Sequence, residues 1–252
     1  MMKERRKSPL DSDSIPPHLC SVDLRLQILG RVPFFAGLPT AQLKEINSRF
    51  REQGYSSEQV IYYAGDDATR LYVVADGKVK LVRHTLIGKD ILLDMLTPGE
   101  FFGSLSALGD DQYPDTAIAQ TPACVLGTGT DDFRAILDSY PAVALKVIDV
   151  MAARLRAAHE RVRQLSAHSV ERRVAYTLLK LGEKLGRKDE LGLLIEAPLS
   201  RDDLAQMTGT TTETASRVMS QFQKQGLIRS GRQWVAIADR AGLEALVREE
   251  ID

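Results

Sequence analysis

The 252-residue sequence has few cysteines and no long apolar run. Cys20 and Cys124 are the whole thiol complement, too few for the disulfide framework of a small secreted domain. A reducing, cytoplasmic compartment is the default that follows. Nothing approaches the ~18 apolar residues of a membrane-spanning helix, so no membrane partner is expected. The charged start Lys3-Glu4-Arg5-Arg6-Lys7 has no hydrophobic segment behind it, so no signal peptide is expected either. His18, His84, His159 and His168 are scattered. Only His18 has a possible partner at ligand spacing, Cys20, so no metal centre is expected. Catalytic motifs are also missing. Gly103-Ser104-Leu105-Ser106 is not a nucleophile elbow, Gly88-Lys89 lacks the upstream glycine of a phosphate loop, and Gly127-Thr128-Gly129 lacks the third glycine of a dinucleotide fingerprint. An enzyme is not expected.

What is present is an ordinary globular composition, 44% apolar and 27% charged, with a net charge of −1, enough for one large or two small domains. The charge is unevenly spread. Residues 23–140 carry a net −5 and residues 141–168 a net +3, which weakly favours phosphate binding by the C-terminal half.

Residues 1–22, with Ser12-Asp13-Ser14 and Pro16-Pro17, read as a mobile tail. A short helix is predicted over Ala41–Phe50. From Tyr55 to Gly127 short runs of Val, Ile, Leu and Tyr alternate with Gly, Asp and Pro, the pattern of an antiparallel barrel or jelly roll. Leu71–Ala75 and Lys78–Val82 about Asp76-Gly77 read as a hairpin.

After Pro141 the period becomes helical. Ile148, Met151, Leu155, Ala158, Val162 and Leu165 follow spacings of 3 and 4, a narrow seam flanked by Arg154, Arg156, Glu160, Arg161 and Arg163. Such a stripe suits a helix paired with its copy better than one lying on its own domain, where a broader face is usual. A second helical stretch, Val170–Leu185, and a polar link through Gly186–Asp189 follow.

Ser200 then caps Arg201–Met207, which starts with acidic residues; Thr208-Gly209-Thr210 breaks it, and a second helix runs from Thr211 or Thr212 to about Gly226. Two short helices about a glycine turn make a helix-turn-helix. Leu227–Ile237 reads as a hairpin about Ser230-Gly231, a wing. The start of the second helix offers Thr212, Glu213, Ser216 and Arg217 to base edges, while Ser200, Arg201 and Thr211 suit phosphate oxygens. The bland alternative is a surface ion pair between Glu213 and Arg217, at i and i+4.

Those features in this order resemble the CRP/FNR superfamily of bacterial transcription regulators over roughly Leu24–Ala238. The specific marks are Gly65-Asp66 with Leu71–Val74, Asp76–Val79, Pro98–Gly103 and Glu213-Thr214-Ala215-Ser216-Arg217. The resemblance implies an α+β chain divided as a tail (1–22), an antiparallel sensor β-roll like cyclic-nucleotide-binding domains (23–140), a dimerisation helix (141–168) and a winged helix-turn-helix (169–252). It implies a homodimer on palindromic double-stranded DNA, with RNA polymerase as a further partner if the protein activates transcription. The Glu-x-x-Ser-Arg pattern is similar to the FNR branch, whose half-sites are of the TTGA type; the cyclic-AMP receptor branch has glycine at Ser216.

The effector region departs from both branches. Where members that bind cyclic AMP have a ribose-binding Glu and a phosphate-binding Arg-Ser pair, this chain aligns Ser104 and, after one inserted residue, Asp115-Thr116. Ala158 and His159 stand where the dimer helix would contact adenine. A pocket framed by Gly103, Ser104, Leu105, Asp115, Thr116 and His159 is therefore expected not to take cyclic AMP. Cys20 and Cys124 fall where the first and last iron–sulfur ligands of FNR would be, but the second position is Asp23 and the third lies in Leu26–Leu29. A four-thiolate cluster is a poor match. A thiol switch at either cysteine, haem on His84 or His159, and no cofactor at all stay open, against a bland pair of one tail and one buried cysteine. The rival of another class is a small-molecule-binding protein or enzyme built on the β-roll that does not bind DNA.

Overall fold

The computed structural model describes residues 20–84, 90–104 and 111–248. They divide into two compact units, residues 20–159 and 160–248, the division falling inside one long helix.

In the first unit Ser21 caps helix α1 (Val22–Leu29), its hydroxyl accepting from the Leu24 N–H, and α2 (Thr40–Ser48) follows. Eight strands come next: β1 (Arg51–Tyr55), β2 (Val60–Tyr62), β3 (Arg70–Asp76), β4 (Val79–His84), β5 (Asp90–Leu96), β6 (Phe101–Gly103), β7 (Thr116–Ala119) and β8 (Ala123–Gly129). Helices α3 (Thr130–Ser139) and α4 (Pro141–Ala167) complete it, α4 running on into the second unit. The strands make two antiparallel four-stranded sheets, ordered β1-β8-β3-β6 and β2-β7-β4-β5.

Alternate residues of β3 enter different cores. Leu71, Val73 and Ala75 join a cluster with Ile28 and Leu29 of α1, Ile46 of α2, Phe133 of α3 and Val143 of α4. Tyr72 and Val74 join Tyr62, Phe102, Tyr113 and Val125. A sheet covered on both faces needs apolar residues on both, and the unbroken run Leu71–Ala75 meets that need.

The same burial overturns the expected hairpin about Asp76-Gly77. β3 pairs with β6 and β8, while β4 pairs with β5 and β7. The chain crosses from one sheet to the other there, and the turn before β8 crosses beside it. Lys78 N–H donates to the Thr121 hydroxyl at 3.0 Å. Gly77 has φ +76°, and a Cβ on it would lie 2.2 Å from the Pro122 carbonyl oxygen. Asp-Gly supplies the bend that a hairpin needs, but the partners of β3 are chosen by burial over distance, not by the bend.

Two other sequence expectations shift in this unit. Helix α1 starts within the last residues of the segment read as a tail, with Ser21 as its cap and Val22 its first residue, because Ile28 and Leu29 have a core to enter that local periodicity does not reveal. The reading of Cys20 and Cys124 as two separate thiols is corrected: a disulfide joins them across 104 residues, with the Cα atoms 6.7 Å apart.

The second unit holds the end of α4, then α5 (Val170–Leu185), β9 (Gly186–Asp189), β10 (Gly192–Ile195), α6 (Arg201–Thr208), α7 (Thr212–Lys224), β11 (Ile228–Gly231), β12 (Trp234–Ile237) and α8 (Arg240–Arg248). Helix α5 packs on α6, α7 and α8. The sheet order is β11-β12-β10-β9. The supposed polar link Gly186–Asp189 is thus an edge strand, whose charges suit an exposed edge and hide its pairing from a periodicity reading. The wing turns at Arg232-Gln233, two residues later than expected. Gly231 pairs with Trp234, and a Cβ there would lie 2.3 Å from the Trp234 indole nitrogen, so any larger residue requires the indole to move.

Candidate nucleic-acid interface and effector region

Helix α6 starts at Ser200 in a complete capping box. The Ser200 hydroxyl accepts from the Asp203 N–H and donates to the Asp203 carboxylate, which also accepts from the Ser200 N–H. It ends at Gly209, in the left-handed region at φ +60°. Thr211 caps α7, its hydroxyl 3.2 Å from the Thr214 N–H. Leu204 and Ala205 of α6 and Ala215, Val218, Met219 and Phe222 of α7 are all buried. With a 3.6-residue period that leaves the other face of α7 outward. Thr212, Glu213 and Arg217 are exposed and Ser216 half-buried.

Among the described residues no ion pair joins Glu213 to Arg217, although other i,i+3 and i,i+4 pairs form on the helices. Arg201 donates to the Ser230 hydroxyl of the wing at 2.7 Å, and burial lowers its pKa. Gln223 donates to the Ser230 carbonyl oxygen at 3.0 Å, so the wing is braced from α6 and α7 together. Thr212 donates its hydroxyl to Asp202 at 2.8 Å, and Gln206 donates to the other oxygen of the same carboxylate. By its place in the sequence Asp202 is simply an acidic residue in the first turn of α6. No local signal marks its partner ten residues on.

On α4 the seam is open to solvent: Ile148 is 64% exposed, Leu155 58% and Val162 61%. Met151, Ala158 and Leu165 are exposed too, and Leu145, three residues before Ile148 and outside the alternating 3-4 spacing, is also exposed and extends the row. A different stripe, Val143, Val147 and Val150, enters the core of the first unit. On that side the Arg154 guanidinium lies 3.5 Å from the Phe101 ring centroid and donates to the Phe101 carbonyl oxygen at 2.6 Å. Burial lowers its pKa, opposed by the nearby Asp94 and Glu100 carboxylates.

The proposed effector residues meet in part. Gly103 ends β6 at φ +81°, and its ideal Cβ would lie 3.5 Å from the Tyr113 ring. Tyr113 stacks on Tyr62 with centroids 3.8 Å apart, and the Tyr62 hydroxyl donates to the half-buried Asp115 carboxylate at 3.1 Å. Thr116 is buried and accepts from the Ala64 N–H at 3.0 Å. Ser104 is half-buried, and His159 is exposed on α4. Leu105 lies outside the described residues, as does His18. His84 is engaged across the β4–β5 pair with Asp90, 2.5 Å away.

A four-thiolate cluster does not fit this chain: it has two cysteines, and their sulfurs are bonded to each other. Among the described residues no group of three His, Cys, Asp or Glu side chains is placed to hold a metal ion, and no helix is long and apolar enough to cross a membrane.

A Crp-like helix-turn-helix domain model matches residues 172–246, and a cyclic nucleotide-binding domain model matches residues 52–140. The cyclic AMP receptor protein of Thermus thermophilus is 34% identical over 214 residues, 85% of this chain and 96% of that protein. The chain belongs to the CRP/FNR family of transcriptional regulators. A CRP-like cAMP-activated global transcriptional regulator of Mycobacterium tuberculosis is 26% identical to this family member, over 88% of this chain and 99% of its own. The solved structure of FixK2 from Bradyrhizobium japonicum matches it with a TM-score of 0.70 at 25% identity, covering 78% of this chain and 96% of FixK2. The relatives of this CRP/FNR chain are regulators of transcription, and its DNA-binding helix-turn-helix accords with them.

Burial raises the Asp115 carboxyl pKa above its ordinary 3.8, against the opposing pull of the Tyr62 hydroxyl and Arg83. The folded chain therefore holds that proton more tightly than the unfolded chain. Ionisation of Asp115 weighs against folding as pH rises from 3.8 through the folded value. Asp115→Asn still accepts from Tyr62 and carries no charge. It is expected to raise the thermal midpoint at pH 7 by a few degrees and to leave it nearly unchanged below the unfolded pKa, as followed by circular dichroism.

Proposed function

We propose that this CRP/FNR family member is a homodimer that reads palindromic DNA with TTGA-type half-sites. The observation that carries the reading is the outward face of α7, where Thr212, Glu213 and Arg217 stand exposed with Ser216 beside them. In the major groove Arg217 donates two hydrogen bonds to guanine O6 and N7, and Glu213 accepts from the cytosine amino group. Ser216 meets a base edge or a thymine methyl. Phosphates lie at the two helix starts. Arg201 keeps guanidinium donors beyond the one on Ser230, while Ser200 and Thr211 fix N-termini whose backbone N–H groups favour anions.

The exposed seam on α4 supports pairing with a second copy, since apolar residues at coiled-coil spacing are stabilised by burial against their own kind. Two recognition helices would then meet half-sites one turn of DNA apart, about 34–36 Å. RNA polymerase is a partner if the protein activates. Arg217→Ala is expected to weaken binding by roughly 1–3 kcal/mol and to relax the guanine preference. Gel shifts on matched and substituted sites check this, with two chains per duplex by mass. An equal loss on every sequence, or one chain per duplex, would sink the reading.

The effector is not cyclic AMP in this proposal. Asp115 presents a carboxylate where the family resemblance puts the phosphate-binding arginine. Like charges 4 Å apart repel by about 1–4 kcal/mol as the effective dielectric falls from 80 to 20. Cyclic AMP is expected to leave both the thermal midpoint and DNA affinity unchanged. A saturable calorimetric signal would refute this.

The Cys20–Cys124 bond favours redox control among the open signals. Reduction by a dithiol adds two electrons and two protons, giving two thiols and a disulfide on the reductant. Cys20 stands just before α1, and both sulfurs belong to the core that also receives Val143, Val147 and Val150 of α4. Closing a loop of this length stabilises by roughly 4–5 kcal/mol in the chain-entropy model. Dithiol treatment and Cys20→Ser are expected to lower the thermal midpoint alike and to change DNA affinity alike. Identical affinity of the oxidised and reduced forms would exclude redox control.

A further inference from the structure

We infer that Asp202 is a specificity-determining residue that acts through Thr212, disfavouring guanine at the base position Thr212 faces. The inference rests on the reading above that the start of α7 enters the major groove. A threonine hydroxyl has one proton to donate. Here it goes to one oxygen of Asp202 at 2.8 Å, while the Gln206 amide, one turn further along α6, donates to the other oxygen at 2.8 Å. Both carboxylate oxygens are thereby oriented, and the charge sits in the first turn of α6, where the helix dipole favours it.

The consequence is for what Thr212 can show to DNA. With its proton turned back onto Asp202, the exposed side chain offers oxygen lone pairs and a methyl group. Adenine and cytosine present amino hydrogens in the major groove, and thymine presents a methyl; each finds a complement. Guanine presents only the N7 and O6 acceptors there. Lone pairs would then face lone pairs, with a carboxylate behind them. Without Asp202, the same threonine could rotate its proton outward and donate to guanine. The selectivity of this position therefore lies in α6, one layer behind the helix that touches the bases.

The test is selection of binding sites from a random duplex pool by the full-length protein, followed by affinity measurements on the selected palindrome with each base at each position. The wild type is expected to disfavour guanine about tenfold at one symmetric pair of positions. Asp202→Ala should abolish that discrimination and leave the other positions as they were. Asp202→Asn should retain it, because the side-chain carbonyl still accepts the Thr212 proton. Asp202→Ala with Thr212→Val should lose the guanine tolerance that Asp202→Ala gains. A merely structural or electrostatic role would move all sequences together and would not separate Asn from Ala. Unchanged preferences in Asp202→Ala, or an Asn variant that behaves as the Ala variant does, overturn the inference alone. A wild-type pool with no enriched palindrome overturns it together with the reading it rests on.

Discussion

Two short helices holding each other across one left-handed residue set everything that the second unit presents. Helix α6 is eight residues long, too short to persist alone in water. It is held because Leu204 and Ala205 are buried with Ala215, Val218 and Phe222 of α7, and because Gly209 adopts φ +60° without the penalty a side chain would bring. Burying that side of α7 leaves Thr212, Glu213 and Arg217 no choice but to face out. The same turn brings Asp202 and Thr212 within a hydrogen bond, so the exposed chemistry follows from the buried contact.

Helix α4 solves a different problem, since it carries two apolar stripes. Val143, Val147 and Val150 are taken up by the core of the first unit. Ile148, Leu155 and Val162 are left out. A helix with one stripe would be satisfied by its own domain, whereas the second stripe leaves apolar area in water at a cost of roughly 25 cal/mol per Å² until something covers it. Arg154 lies on the anchored side, where a cation over the Phe101 ring and a hydrogen bond to its carbonyl hold the helix against β6.

In the β-roll the aromatic residues Tyr62, Tyr72, Phe102 and Tyr113 stack nearly parallel, and Asp115 is tethered to them through Tyr62. A carboxylate in such surroundings is costly to ionise, and it gives this position a sign opposite to an anion-binding site. The fold is that of its cyclic nucleotide-binding relatives, but fold alone does not carry their ligand chemistry.

The order of the parts, roll before long helix before winged helix-turn-helix, was legible in the sequence because each rests on local periodicity and on turn residues with one conformational meaning. Ser200, Gly209 and Thr211 mark helix ends through their own backbone preferences, and the 3-4 spacing from Ile148 to Leu165 defines a stripe whatever surrounds it. Tertiary structure alone decided what depends on partners distant in the chain. Asp76-Gly77 encodes a bend, but burial of β3 on both faces decides that the bend crosses between sheets. Cys20 and Cys124 are 104 residues apart, and no local signal pairs them. Arg154 looks like one flank charge among several until Phe101 lies beneath it. Periodicity reports which side of an element avoids water; only the packed chain reports what meets it there.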